Sequence, residues 1–103
     1  MLSGLEEKLI LMGIIQQTKV KIPIDSGAGI DYISDKLVKE LGLIPSIMRN
    51  PLHTKVADGY IYEINQYLPA LPLDITDFQE TISPKVLPLQ EKEIILGYRW
   101  LKK

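Results

Sequence analysis

The sequence contains no cysteine and a single histidine, His53, and these absences exclude two common kinds of site. A disulfide framework and a thiolate metal site both need cysteine, and one histidine cannot form a histidine cluster. Lys and Arg number 12 against 13 Asp and Glu, which leaves neither a basic surplus nor an acidic block. The composition therefore predicts no structural zinc and no nucleic-acid partner.

Long apolar runs are also missing. The longest, at residues 9–15, is far shorter than the roughly 20 residues that a membrane-spanning helix needs, and no cationic leader precedes it. We therefore expect no membrane association and a cytoplasmic location. The chain has 103 residues, 46% of them hydrophobic, which predicts one globular domain over residues 1–103.

Short apolar segments rich in β-branched residues make up much of the sequence. Two of them lie between Leu9 and Ile24 and are separated by the polar pair Gln16-Gln17, which predicts two strands joined by a turn. Pro23 has no N–H to donate to a neighbouring strand, so we expect it at a sheet edge or facing solvent.

One segment has helical periodicity instead. Leu37, Val38 and Leu41 share one face of a helix, Ser34 is a suitable N-cap before them, and Gly42 is a suitable stop. Further short strands are expected at residues 71–75, 81–82, 86–89 and 94–97. A single helix among many short strands favours a mainly-β fold.

The dipeptide Asp58-Gly59 is a strong turn signal between two apolar segments, 55–57 and 60–64. Both central residues of a two-residue hairpin turn need positive φ, which favours these residue types. The sequence therefore predicts a projecting β-hairpin with a two-residue turn at its tip. An ordinary surface hairpin explains the same dipeptide.

The triplet Asp25-Ser26-Gly27 directly follows an apolar strand and is the main candidate site. Glycine permits a sharp turn and close approach, and the serine hydroxyl can bond a neighbouring loop, so the aspartate would be rigidly held. The same residue types also favour an ordinary turn at the end of a strand. The triplet alone does not separate these two interpretations.

A single aspartate is a poor catalyst of peptide hydrolysis. The reaction needs a base to activate water and an acid to protonate the departing nitrogen. Two aspartates that share one proton meet both needs, because their repulsion raises the pKa of one carboxyl and lowers that of the other. The chain has one Asp-Ser-Gly triplet, so the second carboxylate would come from a second copy in a symmetric homodimer.

Three blocks of sequence occur in an order that is typical of one protease family. The first comprises residues 24–28 with Tyr32-Ile33-Ser34 and Leu41-Gly42-Leu43 after it, the second is Val56-Ala57-Asp58-Gly59, and the third is the Ile-Ile-Leu-Gly-x-x-Trp-Leu stretch at 94–101. In these three blocks the chain resembles the retropepsin-like aspartic proteases of retroviruses and, more closely, of gypsy-class LTR retrotransposons. The resemblance implies a mainly-β subunit, a closed β-barrel or sheet with a flap hairpin and one or two short helices.

The resemblance also implies roles for individual residues. Asp25 would be the catalytic carboxylate, and Ser26 and Gly27 would support the active-site loop. The substrate-binding residues would be Gly27, Ala28 and Gly29 in the loop and Ala57, Asp58 and Gly59 in the flap. The implied activity is that of a homodimeric aspartic endopeptidase that cleaves extended segments of a polyprotein and needs no metal or organic cofactor.

Three features depart from the family pattern. Gly29 stands where the family usually has Thr or Ser. Arg99 stands where Asp or Asn is common and would need a carboxylate partner, either Asp31 or a carboxylate of a partner chain. Viral relatives also continue past Lys103 into a strand at the dimer interface. These departures keep a second function open, a catalytically inactive protease-like module for dimerisation or peptide binding.

A metal site formed by Asp25 and Asp31 is a third alternative, and the spacing of the two residues across a turn defines no geometry for it.

The remaining acidic side chains have an ordinary interpretation. Because unpaired carboxylates are rarely buried, we expect Asp31, Asp35, Asp74 and Asp77 on solvated faces. Trp100 is expected to be a packing anchor.

Overall fold

The chain folds into nine short strands and one helix in the part that the structure describes. This computed structural model describes residues 10–24, 29–55, 59, 61–75 and 78–97, with the backbone alone at Lys55 and Phe78. In chain order the elements are β1 (Ile10–Ile15), β2 (Thr18–Pro23), β3 (Tyr32–Ser34), α1 (Asp35–Glu40), β4 (Ser46–Lys55), β5 (Ile61–Tyr67), β6 (Leu71–Ile75), β7 (Phe78–Ile82), β8 (Lys85–Leu87) and β9 (Ile94–Ile95).

The strands form two sheets. One has the order β2-β1-β6-β7 and is antiparallel throughout. The other has the order β4-β5-β8-β3-β9, in which β3 and β8 run parallel. The mainly-β prediction is confirmed, and the described strands form two open sheets rather than a closed barrel.

Apolar side chains from both sheets and from the helix share one core. Its buried members include Ile15, Val20, Ile22, Leu73 and Ile75 from the first sheet, Ile33, Ile94 and Leu96 from the second sheet and its end, and Leu37 and Val38 from α1. Burial of each such side chain contributes about 1.5–3 kcal/mol to folding. Strand β1 alternates, so that Ile10, Met12 and Ile14 face outward and are exposed.

The turn predicted between the first two strands is confirmed. Ile15 pairs with Thr18, and the two residues between them, Gln16 and Gln17, have positive φ of 51° and 68°. Both central residues of a type I′ hairpin turn have positive φ, which matches the twist of the flanking strands. Pro23 lies on β2, an edge strand as expected, and its side chain is buried rather than facing solvent.

Helix α1 begins and ends where its capping residues predict. The Ser34 hydroxyl oxygen accepts a hydrogen bond from the backbone N–H two residues on, at 3.1 Å. At the other end Gly42 has φ of +68°, and the N–H of Leu43 donates to the Val38 carbonyl at 3.0 Å. This closes the helix in a Schellman-type cap. No helix in the described part of the chain is long and apolar enough to cross a membrane.

Strands β4 and β5 form the predicted hairpin, in which Thr54 pairs with Tyr62. The predicted two-residue turn at Asp58-Gly59 falls mostly outside the described residues, so it stays a prediction. Gly59 is described and has φ of +92°, the left-handed conformation that favours glycine in hairpin turns.

Candidate active site

Both ends of the segment that carries Asp25 are attached to the C-terminal apolar stretch that contains β9. On the incoming side Ile24 forms a parallel bridge with Leu96, whose N–H donates to the Pro23 carbonyl oxygen at 3.1 Å. On the outgoing side β3 pairs antiparallel with β9 from Tyr32 onward. Backbone hydrogen bonds to one stretch of chain therefore set the separation of the two ends.

The side chains at these attachments are buried. Relative exposure is 8% for Ile24 and 0% for Ile33, Ile94 and Leu96. Backbone hydrogen bonds that are surrounded by packed apolar side chains open rarely, because local opening would expose that apolar surface. Residues 94–97, the described part of the third sequence block, therefore form a rigid support for both ends of the Asp25 segment.

Asp31 adds a side-chain contact at the outgoing end. Its Oδ1 accepts a hydrogen bond from the N–H of Gly97 at 2.8 Å, and its backbone oxygen accepts from the N–H of Lys85 at 2.9 Å. Asp31 is thus partly buried and bonded, contrary to the expected solvated position. The physical reason is the buried N–H of Gly97, which needs an acceptor that a carboxylate can supply.

No local sequence pattern predicts this contact, since Asp31 and Gly97 are 66 residues apart. Asp35 also departs from the expected solvated position, because its Oδ1 is buried and has no hydrogen-bond partner among the described residues. Asp74 is exposed, as expected, and Asp77 lies outside the described residues.

Gly29 lies on the surface next to the candidate loop. A Cβ atom built at this position meets no heavy atom of the described residues within 4 Å, and the backbone is outside the left-handed region. Space is therefore available for the Thr or Ser side chain that the family usually has there. Crowding by the described residues therefore does not require glycine at this position. The difference from the family pattern is the loss of a hydroxyl group.

The β4–β5 hairpin contacts the outgoing end of the same segment. The hydroxyl groups of Tyr32 and Thr54 share a hydrogen bond, with their oxygens 3.0 Å apart. The structure thus joins the first sequence block to the hairpin at this pair, and joins the first block to the third at Ile24 and Leu96.

The predicted site residues divide into two groups. Gly29 and Gly59 are described, and both are exposed. The others lie outside the described residues, and their roles stay predictions: Asp25, Ser26, Gly27, Ala28, Ala57 and Asp58. The expected pairing of Arg99 and packing of Trp100 also fall outside. Within the described part of the chain, no group of three or more His, Asp or Glu side chains could hold a metal ion.

Residues 21–103 match the sequence model of the PEG10/RTL1 protease domain. The chain belongs to this family. The match begins within β2 and includes all three sequence blocks, so the predicted retropepsin-like protease domain is confirmed. Membership of the PEG10/RTL1 protease domain family establishes a protease-like domain of retrotransposon type.

The fold of a solved protein agrees with this assignment. The crystal structure of the retroviral protease-like domain of Ddi1 from Leishmania major superposes with a TM-score of 0.72, at 24% sequence identity, over 92% of this chain and 75% of that one. At this identity the likeness concerns the fold alone. A search of curated protein sequences found no match.

Proposed function

We propose that this protein is one subunit of a homodimeric aspartic endopeptidase, with Asp25 from each of two copies as the catalytic pair. The observation that carries the proposal is the attachment of both ends of the Asp25 segment to the buried stretch around β9. A catalytic carboxylate must be held within a narrow range of positions, and a support made of backbone hydrogen bonds provides that rigidity. Membership of a protease domain family supports the same function.

The proposed chemistry divides two roles between two carboxyl groups. The ionised Asp25 of one subunit takes a proton from a water molecule, which attacks the peptide carbonyl carbon. The protonated Asp25 of the other subunit gives its proton to the nitrogen as the carbon–nitrogen bond breaks, which leaves the two carboxyl groups with their protonation states exchanged. Because one carboxyl must be protonated while its neighbour is ionised, cleavage should be fastest at acidic to mildly acidic pH.

The substrate is proposed to be an extended peptide, such as a linker in a polyprotein. The β4–β5 hairpin would act as a flap that closes over the peptide, whose backbone would pair with it as an added strand. Gly59 lies in the loop of this hairpin, and Gly29 lies beside the candidate catalytic loop. Both positions are exposed and accessible to a peptide backbone.

A catalytically inactive, peptide-binding or dimerising domain is the second candidate function. Gly29 favours it, because the family's hydroxyl side chain is missing at a position that has room for one. Loss of that group would weaken polar contacts to a bound peptide and leave the loop backbone less restricted. Such a domain would still dimerise or bind peptide, and it would not hydrolyse it.

The deciding experiment compares two variants that each lose one carboxylate. Asp25→Asn should abolish cleavage of an unstructured peptide library while its circular dichroism spectrum stays that of the wild type. Asp74→Asn removes an exposed carboxylate from β6 and should cleave like the wild type. Undiminished cleavage by Asp25→Asn would refute the catalytic role of Asp25.

Mixing the chains tests the dimer. An excess of Asp25→Asn should inhibit the wild-type protein, because mixed dimers carry one catalytic carboxylate, whereas an excess of Asp74→Asn should add activity. Cleavage per wild-type chain should also fall on dilution as dimers dissociate. Wild-type protein that dimerises and binds peptide without cutting it would favour the inactive domain.

A further inference from the structure

Tyr32 and Thr54 form a side-chain contact between strands that are not neighbours in their sheet. Tyr32 is the first residue of β3, directly after the candidate loop, and Thr54 lies near the end of β4. Their hydroxyl oxygens are 3.0 Å apart. In the order β4-β5-β8-β3-β9, two strands separate β4 from β3.

The contact requires the hairpin to bend over the rest of the sheet. Strands three positions apart in a flat sheet are about 14 Å apart, which a tyrosine and a threonine side chain cannot span together. The sheet therefore curves, so that the inward face of the β4–β5 hairpin approaches β3. Thr54 and Tyr62 are a cross-strand pair and lie on that same face.

A small apolar cluster, separate from the main core, lies at this junction. Its buried members are Tyr32, Ile64 and Leu87, from β3, β5 and β8. Tyr32 has a relative exposure of 9%, so its ring is packed while its hydroxyl reaches Thr54 at the partly buried margin. Tyr32 therefore contributes both an apolar and a polar contact between the hairpin and the end of the candidate loop.

We propose that Tyr32 is a positioning residue, which holds the β4–β5 hairpin in its closed position through the hydroxyl pair with Thr54. A hydrogen bond between two neutral hydroxyl groups suits an element that must open to admit a peptide and then return. The net free energy of this hydrogen bond corresponds to a shift of about fivefold in the equilibrium between the open and the closed hairpin. The effect on peptide binding rests on the proposed protease function, whereas the effect on the hairpin does not.

The test uses Tyr32→Phe and Thr54→Val, which each remove one hydroxyl group and keep the apolar part of the side chain. Each should raise the hydrogen-exchange rates of hairpin amides in β4 and β5 by about fivefold, while amides in β1 and β2 are unchanged. The double variant should match either single one, since both remove the same bond. Tyr67→Phe, at the base of the hairpin, is the control for loss of a tyrosine hydroxyl and should leave exchange unchanged.

Peptide cleavage provides a second measurement. Loss of the hydroxyl pair should raise KM by about fivefold with little change in kcat, because part of the binding free energy of the peptide would then be used to close the hairpin. Equal acceleration of exchange in β1, β2 and the hairpin would show a merely structural role and overturn the proposal. Additive effects in the double variant, or no change in the hairpin, would also overturn it. If the wild-type protein cleaves no peptide, hydrogen exchange still decides the role of the hydroxyl pair.

Discussion

The carboxylate of Asp31 accepts a hydrogen bond from the buried N–H of Gly97, at 2.8 Å, and so connects the end of the candidate loop to the chain just after β9. This bond lies beside the backbone attachments of Ile24 and Tyr32, and unlike them it depends on one side chain. It is therefore the point at which a single substitution can loosen the support of the loop without altering a strand.

Asp31→Ala should lower the free energy of unfolding by about 1–3 kcal/mol, because the Gly97 N–H would be left buried without an acceptor. Asp31→Asn keeps a side-chain oxygen that can accept the same bond, and it should cost less than Asp31→Ala. Urea denaturation of the two variants measures the difference. Equal losses would show that the hydrogen bond does not account for the role of Asp31.

Alanine substitutions at Gly29 and Gly59 should have opposite effects. Gly29 has open space around it and a backbone outside the left-handed region, so Gly29→Ala should stabilise the protein by about 0.4–1 kcal/mol through a less flexible unfolded chain. Gly59 has φ of +92°, and Gly59→Ala should destabilise it by about 1–2 kcal/mol. Thermal unfolding provides the comparison, and a shift of the same sign in both variants would contradict the assigned backbone conformations.

The β1–β2 turn offers a route to higher stability. Gln17 has φ of 68°, a conformation that is costly for a residue with a Cβ atom, so Gln17→Gly should stabilise the protein by about 1 kcal/mol. Gln79→Gly, at an exposed position within β7, is the control and should instead destabilise by about 0.5–1 kcal/mol. Destabilisation by Gln17→Gly, measured in urea, would rule out the positive-φ turn.

Adjacent residues of β1 should respond very differently to truncation. Ile15 is 1% exposed and Ile14 is 43% exposed, since they lie on opposite faces of the strand. Ile15→Ala should cost about 2–5 kcal/mol of unfolding free energy, and Ile14→Ala less than about 1 kcal/mol. Similar costs in chemical denaturation would contradict the register of β1, because a shift of one residue exchanges the two faces.

The features that could be predicted from the sequence are those with local signals. Ser34 and Gly42 are residue types that favour helix caps, and the polar pair Gln16-Gln17 separates two apolar segments. These signals predict the helix and the first turn, and the structure confirms both. The Asp58-Gly59 dipeptide correctly predicted a hairpin. The glycine of that dipeptide has φ of +92°, as hairpin turns of this kind require.

The features that could not be predicted depend on contacts between distant residues. The parallel pairing of β3 with β8 and the approach of Thr54 to Tyr32 follow from sheet order and curvature, which no local pattern encodes. The candidate site shows the same division. The Asp25 segment can be located from three ordered blocks, whereas the role of Asp31 depends on its hydrogen bond to Gly97, which lies far from it in the sequence.

The attachment of Ile24 to Leu96 has a consequence for the order in which the protein is made. In the chain the Asp25 segment precedes the stretch around β9, and Ile24 and Leu96 are 72 positions apart (96 minus 24). During synthesis the nascent chain therefore lacks the contacts that attach both ends of this segment until the stretch around β9 has left the ribosome, and closing so long a loop is slow. The support of the Asp25 segment cannot form before that stretch has been made.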